Sequence, residues 1–223
     1  MQRYDIYGPI HKALRAAAGK LLARLGSTDF SDAAETSSIL ADMRSQLALG
    51  MRHLHHEELH IHAALEARSP GSSGRLEADH HHHEEAFAEL EEQMKVIEGA
   101  ATSERTKLGH ELYLRYSQFV AADFEHMLEE ETVTMPLLHS LFSDTELMAI
   151  EGAIVSSIPP AETMTIMSDM IPAMHRSERK QFLSFVKAGA PPEVFGMLLQ
   201  GAAKPNLSPA DWSDLTEAFG VAA

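Results

Sequence analysis

Apolar side chains in this sequence return every three or four residues through four long stretches, each closed by helix breakers, and that period commits the chain to packed α-helices. The first stretch opens at Gly8-Pro9, where proline suits a first helical turn, carries His11, Leu14, Ala18, Leu21 and Leu25, and stops at Gly26-Ser27. The second runs from about Asp32 to Arg68 with Leu40, Met43, Leu47, Gly50, Leu54 and Glu57 on one face, and a Ser-Pro-Gly-Ser-Ser-Gly run ends it. The third starts near Arg75, aligns Leu76, His80, His83, Phe87, Leu90, Met94 and Ile97, and closes at Gly99. The fourth starts near Ser103, aligns Leu112, Tyr116, Phe119, Asp123, His126, Glu130 and Val133, and is expected to end around Met135-Pro136. No strand pattern competes. Short links force neighbouring helices to run antiparallel, so the expected fold is all-α, with an up-down-up-down four-helix bundle over residues 1–142.

Residues 143–223 read as a separate helical extension. Ser143-Asp144-Thr145-Glu146 is a capping box before an apolar helix reaching about Ile158, and Pro159-Pro160 interrupts it. Shorter helices are expected over 161–174, 177–188 and 192–201, and Ser208-Pro209-Ala210-Asp211 signals a last one. Met164, Met167, Met170 and Met174 sit at helical spacing and read as core filler or an interface.

Composition removes several functions. A net charge of -15 argues against a nucleic-acid surface, which needs clustered Lys and Arg. The absence of cysteine excludes disulfides, thiolate metal sites, iron–sulfur clusters and cysteine nucleophiles together. Met1 to Asp5 lacks the apolar core of a signal peptide, and no apolar run approaches the roughly 20 residues that span a bilayer, so no membrane partner and a cytoplasmic location are expected. Histidine is the outlier: there are fourteen, most of them at His11 or between His53 and His126.

The chemistry rests on a repeated phrase. His53-x-x-x-Glu57-Glu58 and His126-x-x-x-Glu130-Glu131 lie on different helices, and residues four apart share a helix face, so each phrase aims an imidazole and a carboxylate at one point. His11 occupies the inward stripe of the first helix, and His80 and His83 that of the third. Each unsatisfied buried polar group costs on the order of 1–3 kcal/mol, and a metal removes that cost. The set of mixed nitrogen and oxygen donors exceeds what one tetrahedral zinc takes. Two irons bridged by Glu57 and Glu130 use it naturally, with zinc or manganese as the alternative ions.

Milder readings stand beside this one. A single histidine on an apolar face is more often a satisfied core residue than a ligand, and one His-x-x-x-Glu is common by chance in an acidic helix. Two copies, with inward histidines on the other two helices, are harder to dismiss. His55, His56, His62, His81 and His82 fall off the inward stripes and read as surface. His60 lies one turn past Glu57 and Asp123 one turn before His126, each placed to support a ligand, while Tyr4 and Tyr7 read as packing. A ferritin-like site needs Glu-x-x-His on two helices, which Glu57-x-x-His60 and Glu77-x-x-His80 satisfy, but the lone glutamates it needs elsewhere are missing.

These residues resemble the hemerythrin-like (HHE) cation-binding family over about residues 4–142. The likeness is carried by Ile10-His11-Lys12-Ala13-Leu14-Arg15, by His53-x-x-x-Glu57-Glu58, by Leu76-Glu77-Ala78-Asp79-His80, and by His126-x-x-x-Glu130-Glu131 with Met135-Pro136. The tail, with Pro191-Pro192-Glu193-Val194-Phe195 and Ser208 to Trp212, is similar to the helical extension of some bacterial members. The resemblance implies a non-haem di-iron centre with oxo and carboxylate bridges, with His11, His53, His80 and His126 as terminal ligands and Glu57 and Glu130 as bridges. Asp79-His80 matches the family's acidic-His pair and favours His80 over His83, which joins where members use a fifth histidine. Oxygen carriers use five; this chain is closer to the four-His, two-Glu version of bacterial proteins linked to iron–sulfur repair and nitrosative stress. Those bear a cysteine domain, and the lack of cysteine here weakens the repair role.

The expected function is therefore a di-iron protein that meets O2, NO or peroxide in sensing, binding or a stress response, rather than a turnover enzyme. The alternatives are a di-iron oxidase or peroxidase, and a structural or zinc-binding module. In either case the C-terminal helices offer a surface for a second copy or a protein partner.

Overall fold

A computed structural model describes residues 3–221, apart from the side chain of Ala161; Met1 and Gln2, part of the segment read for a signal peptide, lie outside it, as do Ala222 and Ala223. The described chain is all-helical, with no strand among these residues. The stretches inferred from periodicity become α1 (Gly8–Ser27), then α2 (Ala33–His56) continuing through a π turn (Glu57–His62) into α3 (Ala63–Arg68), then α4 (Gly74–Gly99). The fourth becomes α5 (Thr102–Glu129), continued through a second π turn (Glu130–Thr134) into α6 (Met135–Leu141). After it come α7 (Asp144–Ser157), α8 (Pro160–Ala173), α9 (Arg176–Gly189), α10 (Pro192–Leu198) with a third π turn (Leu199–Ala203), and α11 (Pro209–Phe219). No helix among the described residues is long and apolar enough to cross a membrane.

Local chemistry explains the boundaries. Asp32 caps α2, its Oδ1 accepting from the backbone N–H of Ala34 at 2.7 Å and Glu35 at 2.9 Å, a contact worth about 1 kcal/mol. After α3 the chain reverses at Gly71, whose φ of +87° suits glycine, and the Glu66 carboxylate accepts from the N–H groups of Gly71 and Ser73. Ser143 and Glu146 form the expected reciprocal cap of α7, and Ser208 caps α11 by accepting from the Asp211 N–H.

The described chain forms two bodies: residues 3–4 with 17–154, and 5–16 with 155–221. In the first, Ala18, Leu21 and Leu25 of α1, Leu40, Met43, Leu47 and Leu54 of α2, and Phe87, Leu90, Met94 and Ile97 of α4 are buried together with Leu112, Tyr116 and Phe119 of α5. Gly50 lies on this face because a side-chain carbon there would stand 3.0 Å from Phe87 Cζ. Pairings fix helix directions: Arg44 of α2 reaches Glu91 and Glu98 of α4 while Glu58, further along, reaches His80, so these helices run antiparallel. Arg115 with Glu89 and His126 with Asp79 show the same for α4 and α5.

Two expectations fail at the end of the fourth stretch. Val133, placed on the inward stripe, is 60% exposed, and Thr134 is buried instead. The π turn is the cause: Met135 N–H donates to Glu130 C=O five residues back, which inserts one residue and rotates everything after it. Pro136 likewise does not end the helix, because it falls in the first turn after the π turn, where its missing N–H is tolerated.

The second body has its own core of Ile171, Leu183, Phe195, Leu198, Leu199, Ala202, Trp212 and Leu215, with Met164 and Met167 packed against it and Met170 and Met174 against Ala13. The methionines are thus core filler. Arg179 is buried there and closes α8, Nε donating to Ile171 C=O and Nη2 to Met174 C=O, both at 2.8 Å.

Candidate metal centre

The last turn of α2 presents His53 and the π turn after it Glu57, while α4 presents His80, the last turn of α5 His126, and the second π turn Glu130. Both glutamates are the first residue of a π turn, and both are buried. Within the first body, ligand atoms of His53, Glu57 and Glu130 lie within 4.8 Å of one another, and so do those of Glu57, His80, His126 and Glu130. The two carboxylates are common to both groups. Glu57 faces a different imidazole with each oxygen: Oε1 stands 3.2 Å from His53 Nε2 and Oε2 3.5 Å from His80 Nε2. His126 Nε2 lies 3.5 Å from Glu130 Oε2 and 3.1 Å from His80 Nε2.

Two ring nitrogens 3.1 Å apart need a proton or a cation between them, since two lone pairs repel. The electrostatics put the proton on His80. Burial by itself lowers its pKa, but the hydrogen bond and charge of Glu57, then Glu130 and Glu58, outweigh that and raise it. His126 goes the other way, down to about 4, because burial dominates and the charges of His80 and His83 add to it against the pull of Glu57.

Both histidines also meet a carboxylate on the far side of the ring. Glu58 Oε1 stands 3.1 Å from His80 Nδ1, and Asp79 Oδ2 3.7 Å from His126 Nδ1. A carboxylate behind an imidazole fixes the tautomer that presents Nε2 to a metal and makes that nitrogen a better donor. Glu58 does this for His80, whereas Asp79, on the neighbouring helix, stands too far from His126 Nδ1 for a hydrogen bond and acts on it through its charge alone.

The remaining predicted residues fall as follows. His11 belongs to the Asp5–Ala16 segment of the second body, where it is fully buried and stacks on Tyr7, itself buried. His83 is buried beside the cluster, its ring 5.1 Å from that of His126, but it is not among the converging donors; burial, then the charge of His80, lowers its pKa to about 4. His55, His81 and His82 are exposed as expected. Glu77, needed for a ferritin-like set, is exposed and accepts from the Ser73 hydroxyl at 2.6 Å.

His62 is a correction. Read as surface, it is buried with its ring 4.8 Å from His80, and neither ring nitrogen has a hydrogen-bond partner among the described residues. The first π turn brings it in: Ala63 N–H donates to Glu58 C=O, five back, so the position five after Glu57 turns inward. Burial and the charge of His80 lower its pKa. No periodicity built on 3.6 residues finds it.

Set against protein-family models and curated proteins, the sequence matches none of them.

Proposed function

We propose that this chain is a hemerythrin-like four-helix bundle that holds two iron ions and responds to a small diatomic molecule or peroxide. The observation that carries this reading is the sharing of Glu57 and Glu130 by two donor groups, with the two oxygens of Glu57 facing different histidines. A carboxylate placed in this way suits two ions, and imidazole with carboxylate and no thiolate suits iron. The buried donors fit the group: His80 and His126 point Nε2 at each other beside two carboxylates, and Glu58 stands at hydrogen-bond distance behind His80.

In this reading His53 would hold one ion and His80 and His126 the other, with Glu57 and Glu130 available to both. We assign His11 to the His53 ion on the strength of the sequence, where it replaces an apolar residue on the first stripe. Iron bound there supplies reversible coordination or redox chemistry toward O2, NO or peroxide. The chain's own side chains supply the rest. Glu58 orients the His80 imidazole, while Leu54, Phe119 and Met127, all buried in the same body, lower the local dielectric and limit water.

Metal analysis after anaerobic purification tests the reading. The expected result is two irons per chain, with the near-ultraviolet bands of a bridged diferric centre on oxidation. One zinc and no iron would favour the structural alternative. Glu57→Ala and His126→Ala should each lose iron and melt several degrees lower, since bound metal stabilises the folded state. Unchanged iron in both variants would refute the ligand assignment.

A further inference from the structure

A cavity of about 330 Å³ lies between α4 and α5, with His126 among the residues that line it. Asp79, His82, His83, Glu125 and Glu129 line it with that ring. His126 is a shared wall: its Nε2 faces His80 and Glu130 in the cluster, while its Nδ1 faces Asp79, a lining residue. His83 is 4% exposed, lines the same cavity, and its Nδ1 has no hydrogen-bond partner among the described residues.

The lining's charge is acidic on balance. Arg75 pairs with Glu129, and Arg115 with Glu89 outside the lining, so neither arginine's charge is left to offset Asp79 and Glu125. A neutral gas gains nothing from carboxylates at an opening. A divalent cation does: an acidic cleft concentrates it, and carboxylate and imidazole donors replace its water ligands one at a time. The converging groups named above do not include His83 or Glu125, so these donors are spread along the cavity, as suits passage rather than storage.

We propose that this cavity admits the divalent cation to the Glu57–Glu130 cluster, with Asp79 and His83 as transient ligands on the way. The proposal rests on the metal-binding reading of the cluster. It concerns the rate of loading, whereas that reading concerns what is bound at the end.

The test is anaerobic uptake of ferrous ion by the chelator-stripped full chain, timed by quenching with a coloured chelator. Three variants are compared: His83→Leu, which removes the imidazole but keeps bulk; Glu125→Gln at the exposed rim; and Ala122→Trp, which fills the opening from an exposed helical position and removes no donor. Circular dichroism establishes that each is folded. All three should load about tenfold or more slowly yet reach the wild-type iron content, and added salt should slow the wild type, because an acidic cleft raises cation on-rates by roughly 10–1,000-fold. Wild-type rates in all three folded variants would overturn the proposal. So would a lower final iron content in His83→Leu, which would make His83 a permanent ligand. A wild-type chain that takes up no ferrous ion would overturn the cluster reading and this proposal together.

Discussion

His83 and His126 lie with their rings 5.1 Å apart, and each has its pKa lowered to about 4, first by burial and then by neighbouring positive charge. In the unfolded chain both titrate near 6.5. Between about pH 6.5 and 4 the unfolded state therefore binds protons that the folded state does not, so metal-free protein loses stability as the pH falls through that window. Each group contributes at most ~1.4 kcal/mol per pH unit to that fall. His80 does not offset it: its pKa is raised, so its contribution is fully present below the unfolded value and is lost only as the pH rises through the raised one. Urea midpoints of the metal-free protein at pH 7, 6 and 5 should fall in order, and His83→Leu should flatten the trend. A midpoint independent of pH would contradict neutral burial of these rings. At this scale the sequence was legible wherever a polar residue replaced an apolar one on a regular stripe, as at His80, His126 and Glu130, all of them buried. It was silent on Glu58 as the partner of His80, because that role depends on which helix lies opposite.

The first two π turns begin on the cluster carboxylates and set the register of the helix that follows each of them. Helices α1, α2, α4 and the start of α5 obey a 3.6-residue period, and their inward positions could be read by counting. Past Glu57 and Glu130 the count slips by one, which is why Val133 is outside while His62 is inside. A π turn sacrifices regular i to i+4 bonds, and two of the three among the described residues begin on the cluster glutamates, which marks these as positions where aim matters more than helix stability. Removing the inserted residue tests this. Leu59 is 54% exposed in the first π turn, and its deletion should let α2 run into α3 as ordinary helix, with Leu65 still inward. The expected outcome is unchanged helical content by circular dichroism with at least half of the bound iron lost, because Glu57 is re-aimed. Full iron retention in the folded deletion variant would show that the π turn does not position the carboxylate.

At the scale of the whole molecule, the buried donors and the apolar core of α9 to α11 belong to different bodies. The first body holds Glu57, His80, His126 and Glu130 buried within 4.8 Å of one another, an arrangement that protons alone only partly satisfy. Metal at a thousandfold excess over its dissociation constant stabilises by roughly 4 kcal/mol, and the body that carries Glu57, His80, His126 and Glu130 receives most of that stabilisation directly. The second body is held by Trp212, Phe195, Leu198 and Leu183 and by the Arg179 bonds that close α8, none of which involves the cluster. Chelation should therefore loosen the chain unevenly. Hydrogen-exchange mass spectrometry of loaded and stripped protein should show amides of residues 54–65 and 127–138 exchanging on the order of a hundredfold or more faster after stripping, as a loss of several kcal/mol requires. Peptides over residues 195–215 should exchange at the same rate in both. Equal acceleration throughout would mean that the two bodies open as one cooperative unit; no acceleration near the cluster would mean that metal is not bound where Glu57 and Glu130 converge.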